Sequence, residues 1–326
     1  MRHIHKNIML KNNLLSVADN KTIICMRYLM GTFVQIEASG ERREQTVEAI
    51  NAAFSEMSRI ESVFSKYIKE SYTHALNNYG FLSPQIVSAE YLGLLNEAIK
   101  FSEITEGAFD VTVNPFINLW ERAQHIGTIP SATEIREASL DVGWNNIIIQ
   151  SNNSILLRNR RSEIDFGGIG KGYAIDRAVD VLKRHDIKNA LINVGGQIYC
   201  FGDDGSDIGI RSPKDPDYLI DSIFIKNRSI ATSANYERCF HINGKQYSHI
   251  IDPRTGFPVR NDVLSVSITS PSATIADILS TSIFILGVEK GMKLIKNLNN
   301  LKCIIITRKA KNKLVLHKSS GIKCFP

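Results

Sequence analysis

The segment IDFGGIGKGYAID, at positions 164–176, constrains the fold of this chain more than any other stretch. An apolar, strand-like run leads into several glycines, Lys171 follows, and apolar positions then recur at helical spacing as far as His185. Glycine lets backbone N–H groups approach an anion, the start of a helix carries partial positive charge, and lysine adds a full charge. Together these properties predict a cradle for a diphosphate group.

This glycine-rich segment fits neither of two familiar nucleotide-binding patterns. A P-loop needs a glycine five positions before its Gly-Lys pair and a Ser or Thr after it, and this chain has Asp165 and Gly172 there. A dinucleotide-binding fingerprint needs GxGxxG, and the spacing here is GxGxG. Taken alone, the segment fits an ordinary strand-to-helix turn with a surface lysine equally well.

Hydrophobic periodicity along the chain predicts an α+β fold with mostly antiparallel sheets and packed helices. Strands are predicted at 28–38, 163–168, 190–194, 207–211, 221–225, 246–251 and 263–269, with a terminal hairpin from residue 302. Helices are predicted at 41–64, 83–107, 171–185, 274–286 and 289–298. Because no Pro/Gly/Ser-rich linker divides the chain, we expect one compact, two-lobed unit over residues 26–326, preceded by a disordered tail over residues 1–25.

The chain has a formal net charge of +6, and the excess of basic residues lies at its two ends. Residues 1–27 contain five basic residues and one acidic residue, and residues 302–326 contain seven basic residues and no acidic one. A nucleic-acid-binding surface places its basic residues on a folded face, so this distribution favours solvated ends and no nucleic-acid partner. The five cysteines form no CxxC pair, which argues against a zinc site and a disulfide framework.

The first 28 residues contain no continuous apolar run of the length that a secretion signal or a membrane-spanning helix needs. Polar and charged residues interrupt each apolar stretch. We therefore expect a cytoplasmic protein without a transmembrane segment. A periplasmic or membrane-anchored form stays open if the true start lies upstream.

Asp277 and Thr281 lie four residues apart on a predicted helix and therefore share one of its faces. A carboxylate and a hydroxyl offer hard oxygen ligands, which suit Mg²⁺. Taken alone, such a pair is more often structural. The aspartate then lies in the acidic first turn of the helix, and the threonine bonds back to its own helix.

The stretch SHIIDPRTG, at positions 248–256, has the composition of a rigid turn. That turn would hold His249, a candidate catalytic base, and Arg254, whose guanidinium suits phosphate oxygens. The alternative is a structural turn in which Asp252 bonds its own backbone and His249 belongs to the scaffold. The segment GAFDVTVNP, at 107–115, also has two interpretations. It could be a strand and turn of the core, or it could present Phe109 and backbone groups to an aromatic ligand.

In this order, these segments resemble the ApbE family of FAD:protein FMN transferases, from about Met30 to Arg308. Eight pieces in sequence make the resemblance specific. They are MGTF (30–33), the Ser65/Tyr67/Ser71 pattern ending in Asn77, GAFDVTVNPFINLW (107–120), IDFGGIGKGYAIDRAV (164–179), ALINVGGQIYCFG (190–202), SIATSANYERCF (229–240), YSHIIDPRTGFPV (247–259) and ADILSTSIFILG (276–287). Members often carry Ala at the position of Gly170 and are often exported lipoproteins, but no apolar stretch precedes Cys25 to support a lipid anchor here.

The resemblance implies a role for each matching residue. The residues implied to line or contact FAD are Met30, Tyr67, Ala108, Phe109, Asp110, Asp165, Lys171 and Ile251. The implied Mg²⁺ ligands are Asp277, Thr281 and the backbone carbonyl of Gly168.

The resemblance also implies the reaction, which is Mg²⁺-dependent transfer of FMN from FAD to a Thr or Ser hydroxyl of an acceptor flavoprotein, with release of AMP. The family implies respiratory redox subunits and flavin reductases as acceptors. His249 and Arg254 are the residues expected to act in catalysis, and nearby carboxylates compete with His249 for the role of base. Two other functions share these motifs: an FAD pyrophosphatase that yields free FMN, and a non-catalytic protein that binds or delivers FAD.

Overall fold

A ten-stranded antiparallel sheet organises the computed structural model, which describes residues 8–10, 13–17, 22–215, 217–235, 239–309 and 313–322. In spatial order its strands are β1 (Ile8–Leu10), β2 (Asn13–Val17), β3 (Thr22–Leu29), β4 (Thr32–Ser39), β8 (Asn189–Val194), β9 (Gln197–Phe201), β12 (Arg228–Ala234), β17 (Val263–Ser270), β18 (Lys302–Lys309) and β19 (Lys313–Lys318). Every neighbouring pair in this sheet is antiparallel.

Three helices cover one face of this sheet with their apolar residues. They are α1 (Arg43–Phe64), α6 (Gly170–Arg184) and α7 (Ala273–Asn297), and α6 contacts both of the others. Helix α7 lies over β12 and β17 and is interrupted at Gly287, whose φ of 78° is not helical.

Alternation of side chains along β18 shows that both faces of the sheet are covered. Cys303 and Ile305 belong to the core beneath the helices, whereas Ile304 and Ile306 pack on the opposite face. A two-stranded ribbon of β10 (Ser206–Arg211) and β11 (Leu219–Ile225) contributes to that second cluster. The sheet is therefore the middle layer of the fold.

The remaining elements surround the loops that carry the conspicuous motifs. The helices are α2 (Tyr72–Tyr79), α3 (Ala89–Ile104), α4 (Asn114–Ile126) and α5 (Ala132–Ser139), with a 3₁₀ turn at Trp144–Asn146. The strands are β5 (Gln85–Ile86), β6 (Ile147–Gln150), β7 (Ser154–Leu157), β13 (Cys239–Ile242), β14 (Lys245–Ser248), β15 (Ile251–Asp252) and β16 (Phe257–Pro258).

Buried Trp120 in α4 joins α4 to the turn between β15 and β16. It is 1% exposed, and its indole Nε1–H donates to the carbonyl of Gly256 at 2.8 Å. Phe116, Ile135, Phe240 and Ile251 belong to the same small apolar cluster. This second core holds the loop that contains Arg254.

The α+β class with antiparallel sheets is confirmed. The helices predicted at 41–64 and 171–185 match α1 and α6 closely, and the strand predicted at 263–269 matches β17. The two helices predicted between 274 and 298 are the two halves of α7 on either side of Gly287.

Several element predictions are wrong, each for a local reason. The strand predicted at 28–38 is a hairpin of β3 and β4, because Met30 and Gly31 both have positive φ and reverse the chain. The helix predicted from residue 83 begins at Ala89, where Ser88 caps it by accepting the N–H of Tyr91 at 3.1 Å.

The prediction of a strand at 163–168 is also wrong. Residues 167–168 form a turn, the N–H and carbonyl of Ile164 bond the side-chain amide of Asn77, and the N–H of Asp165 bonds the carbonyl of Val111. These bonds go to a side chain and to a loop, so no ladder forms. The core strand considered for residues 107–115 is instead a loop followed by α4, with Pro115 in its first turn.

The predicted tail over residues 1–25 differs from the structure at its described positions. Residues 8–10 and 13–17 are strands, and β2 pairs with β3 from Ile23 to Met26. The four cysteines in the described residues, Cys25, Cys200, Cys239 and Cys303, are free thiols, and Cys324 lies outside those residues. Within the same part of the chain, no helix has the length and apolarity needed to cross a membrane.

Candidate active site at the glycine turn

Helices α6 and α7 meet at the glycine turn (residues 165–172), and their contact fixes the residues on both. Asp176 in α6 accepts the N–H groups of Ala273 and Thr274 at 2.7 and 3.0 Å, and the Thr274 hydroxyl at 2.7 Å. This carboxylate caps the positive end of α7. Gly172 permits the close approach, since a Cβ built on it would lie 2.3 Å from the carbonyl oxygen of Ala273.

The predicted metal ligands lie together around the glycine turn. Asp277 Oδ2 accepts the N–H of Gly172 at 3.1 Å, and Oδ1 lies 3.8 Å from the ammonium nitrogen of Lys171. A Cβ built on Gly168 would lie 4.0 Å from Thr281 Oγ1, one helical turn beyond Asp277. The structure therefore brings the carboxylate, the hydroxyl, the glycine backbone and the lysine into one cluster.

The oxygens of this cluster suit Mg²⁺. Asp277 is only 6% exposed, and one of its carboxylate oxygens faces the lysine rather than a backbone N–H group. In the part of the chain that the structure describes, no group of three His, Cys, Asp or Glu side chains could hold a metal. A cation here would therefore depend on one carboxylate, on neutral oxygens of Gly168 and Thr281, and on phosphate oxygens, which is the donor set typical of Mg²⁺.

Ser233 in β12 extends this oxygen cluster, and sequence reasoning missed it. Its hydroxyl lies 3.2 Å from that of Thr281 and 2.8 Å from that of Ser280. The signal available in the sequence was its place in the SIATSAN segment, where an inward-facing serine on a core strand needs a polar partner.

Asp165 is held by Lys66, which sequence reasoning also missed. The Lys66 ammonium lies 2.9 Å from Asp165 Oδ2, and Asp165 Oδ1 accepts the N–H of Gly167 at 2.8 Å. Burial lowers the pKa of Lys66, but the Asp165 carboxylate and Tyr67 outweigh it and leave that pKa above its ordinary value. The sequence signal was weak, since Lys66 only stands within the Ser65/Tyr67 pattern.

Asp110 braces its own loop through its side chain. One oxygen accepts the N–H and hydroxyl of Thr112 at 2.8 and 2.6 Å, and the other accepts the N–H of Trp144 at 3.0 Å. Burial raises the pKa of Asp110, and these hydrogen bonds partly oppose the rise. Ala108 is fully buried and Asp110 is buried, and their implied contacts with FAD stay predictions.

Arg254 lies against the same loop and pairs with Asp252. Its Nε and Nη2 donate to the two carboxylate oxygens of Asp252 at 2.8 and 2.7 Å, and this pairing raises the pKa of Arg254. A Cβ on Gly107 would lie 3.3 Å from Arg254 Cγ, and one on Gly168 would lie 3.2 Å from the Phe109 ring. The loop at 107–110 therefore links Arg254 to the glycine turn.

The other predicted site residues lie at the margins of this cluster. Tyr67 is 82% exposed beside Lys66, and Met30 is half-buried in the β3–β4 turn. His249 is half-buried between β14 and β15, and Ile251 is buried in the small core with Trp120. Their roles toward FAD stay predictions.

Most of this chain is similar in sequence to known proteins. The ApbE family model matches residues 30–305, close to the span of the sequence resemblance. An FAD:protein FMN transferase of Klebsiella pneumoniae (strain 342) is 31% identical over 295 residues, covering 90% of this chain and 91% of the relative. A protein of the same name from Haemophilus influenzae is 29% identical over 300 residues, covering 88% and 84%.

Solved structures show the same likeness. The ApbE protein of Thermotoga maritima superposes with a TM-score of 0.81 at 31% identity, covering 92% of this chain and 97% of that one. The flavin transferase ApbE of Vibrio cholerae gives a TM-score of 0.78 at 26% identity, with coverage of 92% and 97%. The family match spans most of the residues that build the glycine turn and its surroundings, and the chain therefore belongs to the ApbE family.

Proposed function

We propose that this chain is a Mg²⁺-dependent transferase that moves FMN from FAD to a Thr or Ser hydroxyl of an acceptor flavoprotein. The observation that carries the proposal is the cluster of Lys171, Asp277, Thr281 and Gly168 at the start of α6. It provides positive charge, hard oxygens and glycine backbone at one place, which is what a diphosphate requires. The names of the relatives, FAD:protein FMN transferase, support the choice of substrate.

The residues of this chain would act by binding and orienting the FAD diphosphate. Lys171 and the N–H groups of the glycine turn would hold phosphate oxygens, with Arg254 approaching from the turn between β15 and β16, beside the 107–110 loop. Asp277, Thr281 and Gly168 would hold the cation, and Mg²⁺ supplies neutralisation of the charge that develops on the phosphates. Phosphoryl transfer depends mainly on such positioning and charge neutralisation.

In the proposed reaction, the acceptor oxygen forms a bond to the FMN phosphorus while the bond from that phosphorus to the bridging oxygen breaks. AMP leaves with the bridging oxygen, and the hydroxyl proton passes to a base. Asp252 is engaged by Arg254 through two charge-assisted hydrogen bonds, which disfavours it as that base. His249, three residues earlier, is therefore the residue we assign as base.

The two competing functions differ from this proposal in their products. A pyrophosphatase would release free FMN and AMP with water as the attacking group. A binding or delivery protein would leave FAD intact, and the buried Asp277 beside Lys171 argues against it because storage of FAD needs no metal on the diphosphate.

The test is incubation of the purified chain with FAD, Mg²⁺ and candidate acceptor flavoproteins, followed by intact mass of the acceptor and chromatography of the nucleotides. FMN bound to the acceptor with an equal amount of AMP supports the proposal. Free FMN with an unmodified acceptor supports the pyrophosphatase, and intact FAD supports the binding protein. Lys171→Ala should weaken the affinity for FAD much more than that for FMN, which lacks the diphosphate.

A further inference from the structure

Lys66 lies in a pocket of polar groups just behind the glycine turn. Its ammonium contacts Asp165 Oδ2 at 2.9 Å and donates to the side-chain carbonyl of Asn114, and it lies 5.1 Å from the centre of the Tyr67 ring. The side chain is only 14% exposed, and that of Asp165 only 18%. A lysine so enclosed and fully partnered is unusual, since lysine is seldom buried without a specific counter-charge.

The backbone around Lys66 is fixed so that its side chain points inward. Lys66 follows the end of α1, where Thr73 Oγ1 donates to the carbonyl of Phe64 at 2.9 Å. The N–H of Tyr67 donates to Ser65 Oγ at 3.2 Å. These local bonds hold the direction of the side chain, which keeps the ammonium in place without support from a ligand.

Two other segments of the chain reach this ammonium. Asp165 comes from the glycine turn and Asn114 from the start of α4, and the amide of Asn114 also donates to Glu163. Asn118 donates to the same Glu163 oxygen at 3.0 Å. Lys66 is therefore the cation at the centre of a network that contains two carboxylates, Asp165 and Glu163.

This network bears directly on the backbone of the glycine turn. Asp165 Oδ2 is held by Lys66, so Oδ1 is aimed at the N–H of Gly167, which it accepts at 2.8 Å. The carbonyl of that same Gly167 accepts from Lys171 at 3.2 Å. Lys66 is thus connected to Lys171 through Asp165 and Gly167.

Lys66 also compensates negative charge close to the glycine turn. Without Lys66, the carboxylate of Asp165 would place an uncompensated negative charge beside a site for a diphosphate, which itself carries two. Like charges in a partly buried region repel one another strongly because little water screens them.

We propose that Lys66 is a positioning and charge-balancing residue for FAD binding, acting through Asp165 on the glycine turn. The inference rests on the proposed function, because FAD is the ligand whose diphosphate would feel the change. Lys66 itself does not contact the substrate, since its ammonium is already enclosed by Asp165, Asn114 and the Tyr67 ring.

The experiment measures FAD affinity by calorimetry, with Mg²⁺ and again with EDTA, for the purified full chain and three variants. Lys66→Gln keeps a hydrogen-bonding side chain but removes the charge, and we expect FAD to bind it about tenfold to a hundredfold more weakly, as is typical when a supporting residue is lost. Lys66→Arg keeps the charge and should restore binding to within about threefold of the wild type, because a guanidinium also pairs with carboxylates. Lys69→Met removes an exposed lysine three residues away and should bind FAD like the wild type.

The melting temperature of each variant separates positioning from folding. Lys66→Gln that binds FAD as tightly as the wild type overturns the inference, as does equal weakening in Lys66→Arg and Lys66→Gln. A stability loss in Lys66→Gln without loss of FAD affinity would make Lys66 a structural residue only. If the wild type itself does not bind FAD, the proposed function fails and not this assignment alone.

Discussion

Replacement of Gly172 by alanine tests whether the contact between α6 and α7 positions the candidate site. The added Cβ would lie 2.3 Å from the carbonyl oxygen of Ala273 and 2.7 Å from the Cα of Thr274. Ordinary contacts begin near 3.4 Å, so the two helices must separate by about 1 Å. Both atoms belong to backbone that Asp176 holds with three hydrogen bonds, so neither can turn aside as a side chain would.

Two magnitudes follow from this displacement. Overpacking of this kind destabilises a protein by about 1–3 kcal/mol, which for a chain of 326 residues corresponds to a fall of roughly 1.5–4.5 °C in Tm. The shift also stretches the hydrogen bond from the Gly172 N–H to Asp277, now 3.1 Å, and moves Asp277 relative to Lys171. Since a misplacement of about 1 Å at a reacting site can cost about a hundredfold in rate, we expect FAD turnover to fall by at least about tenfold.

Gly170→Ala is the matched control, because it adds the same methyl group two residues earlier. Its Cβ would meet only the Cβ of Phe166, at 3.6 Å, which is an ordinary contact. The assays are thermal melting and the rate of FAD consumption at saturating Mg²⁺. If Gly172→Ala melts within about 1 °C of Gly170→Ala and turns over FAD at the same rate, the close helix contact does not position Asp277.

Three further predictions concern individual side chains. Asp277→Ala should raise the Mg²⁺ concentration for half-maximal activity by at least about tenfold, measured by titration, because it removes the one carboxylate assigned to the metal; an unchanged titration would contradict that assignment. His249→Ala should reduce single-turnover FMN transfer by about 10²–10⁴-fold with little change in Tm, as expected for an acid–base group, whereas a loss of stability with transfer nearly intact would place His249 in the scaffold. Hydrogen bonds from Arg59 hold the pKa of Glu56 and Glu90 below the ordinary 4.5, so this stabilisation is present above that pH and is lost as pH falls through the lowered values. Arg59→Met should therefore lower the free energy of unfolding at pH 7 by about 1 kcal/mol or less, with a matching fall in Tm, and the fall should be smaller at acid pH. Equal falls in Tm at both pH values would refute the ion-pair account.

Helices and core strands were largely predictable because their apolar residues recur with a fixed period. Helix α1 buries Ile50, Phe54, Met57 and Ile60, all at helical spacing, and the sequence alone indicates its limits to within two residues. In β17, apolar residues alternate with serine and threonine, which indicates a strand even though all eight of its residues are buried.

Predictions failed where a single backbone conformation or a distant partner decides the structure. Met30 adopts a φ of 53°, which few residues other than glycine or asparagine do. The hydrophobic periodicity of the sequence does not indicate this conformation. The segment at Ile164 looks like a strand in sequence, but Asn77, 87 residues away, occupies its hydrogen-bonding groups.

The candidate site was predictable to the extent that its residues lie within short motifs. Lys171, Asp277 and Thr281 were found from local spacing and family resemblance, and the structure brings them together. Lys66 and Ser233 were not, because their significance depends on partners about 100 and 50 residues away in the chain. The acceptor, the location in the cell and the part played by Met30 stay predictions.

Of the two tryptophans of this chain, Trp144 borders the loop at 107–112, and Trp120 borders the turn that contains Arg254. Trp120 is buried and hydrogen-bonded to the turn that follows Arg254, and Trp144 donates its N–H to Asp110 and lies beside Gly107. The intrinsic emission of the protein therefore originates from these two positions, one at the 107–112 loop and one at the turn of Arg254. An isoalloxazine ring absorbs in the range where tryptophan emits, so a bound flavin should quench this emission by energy transfer, and the unlabelled chain carries its own optical readout of flavin arrival and departure.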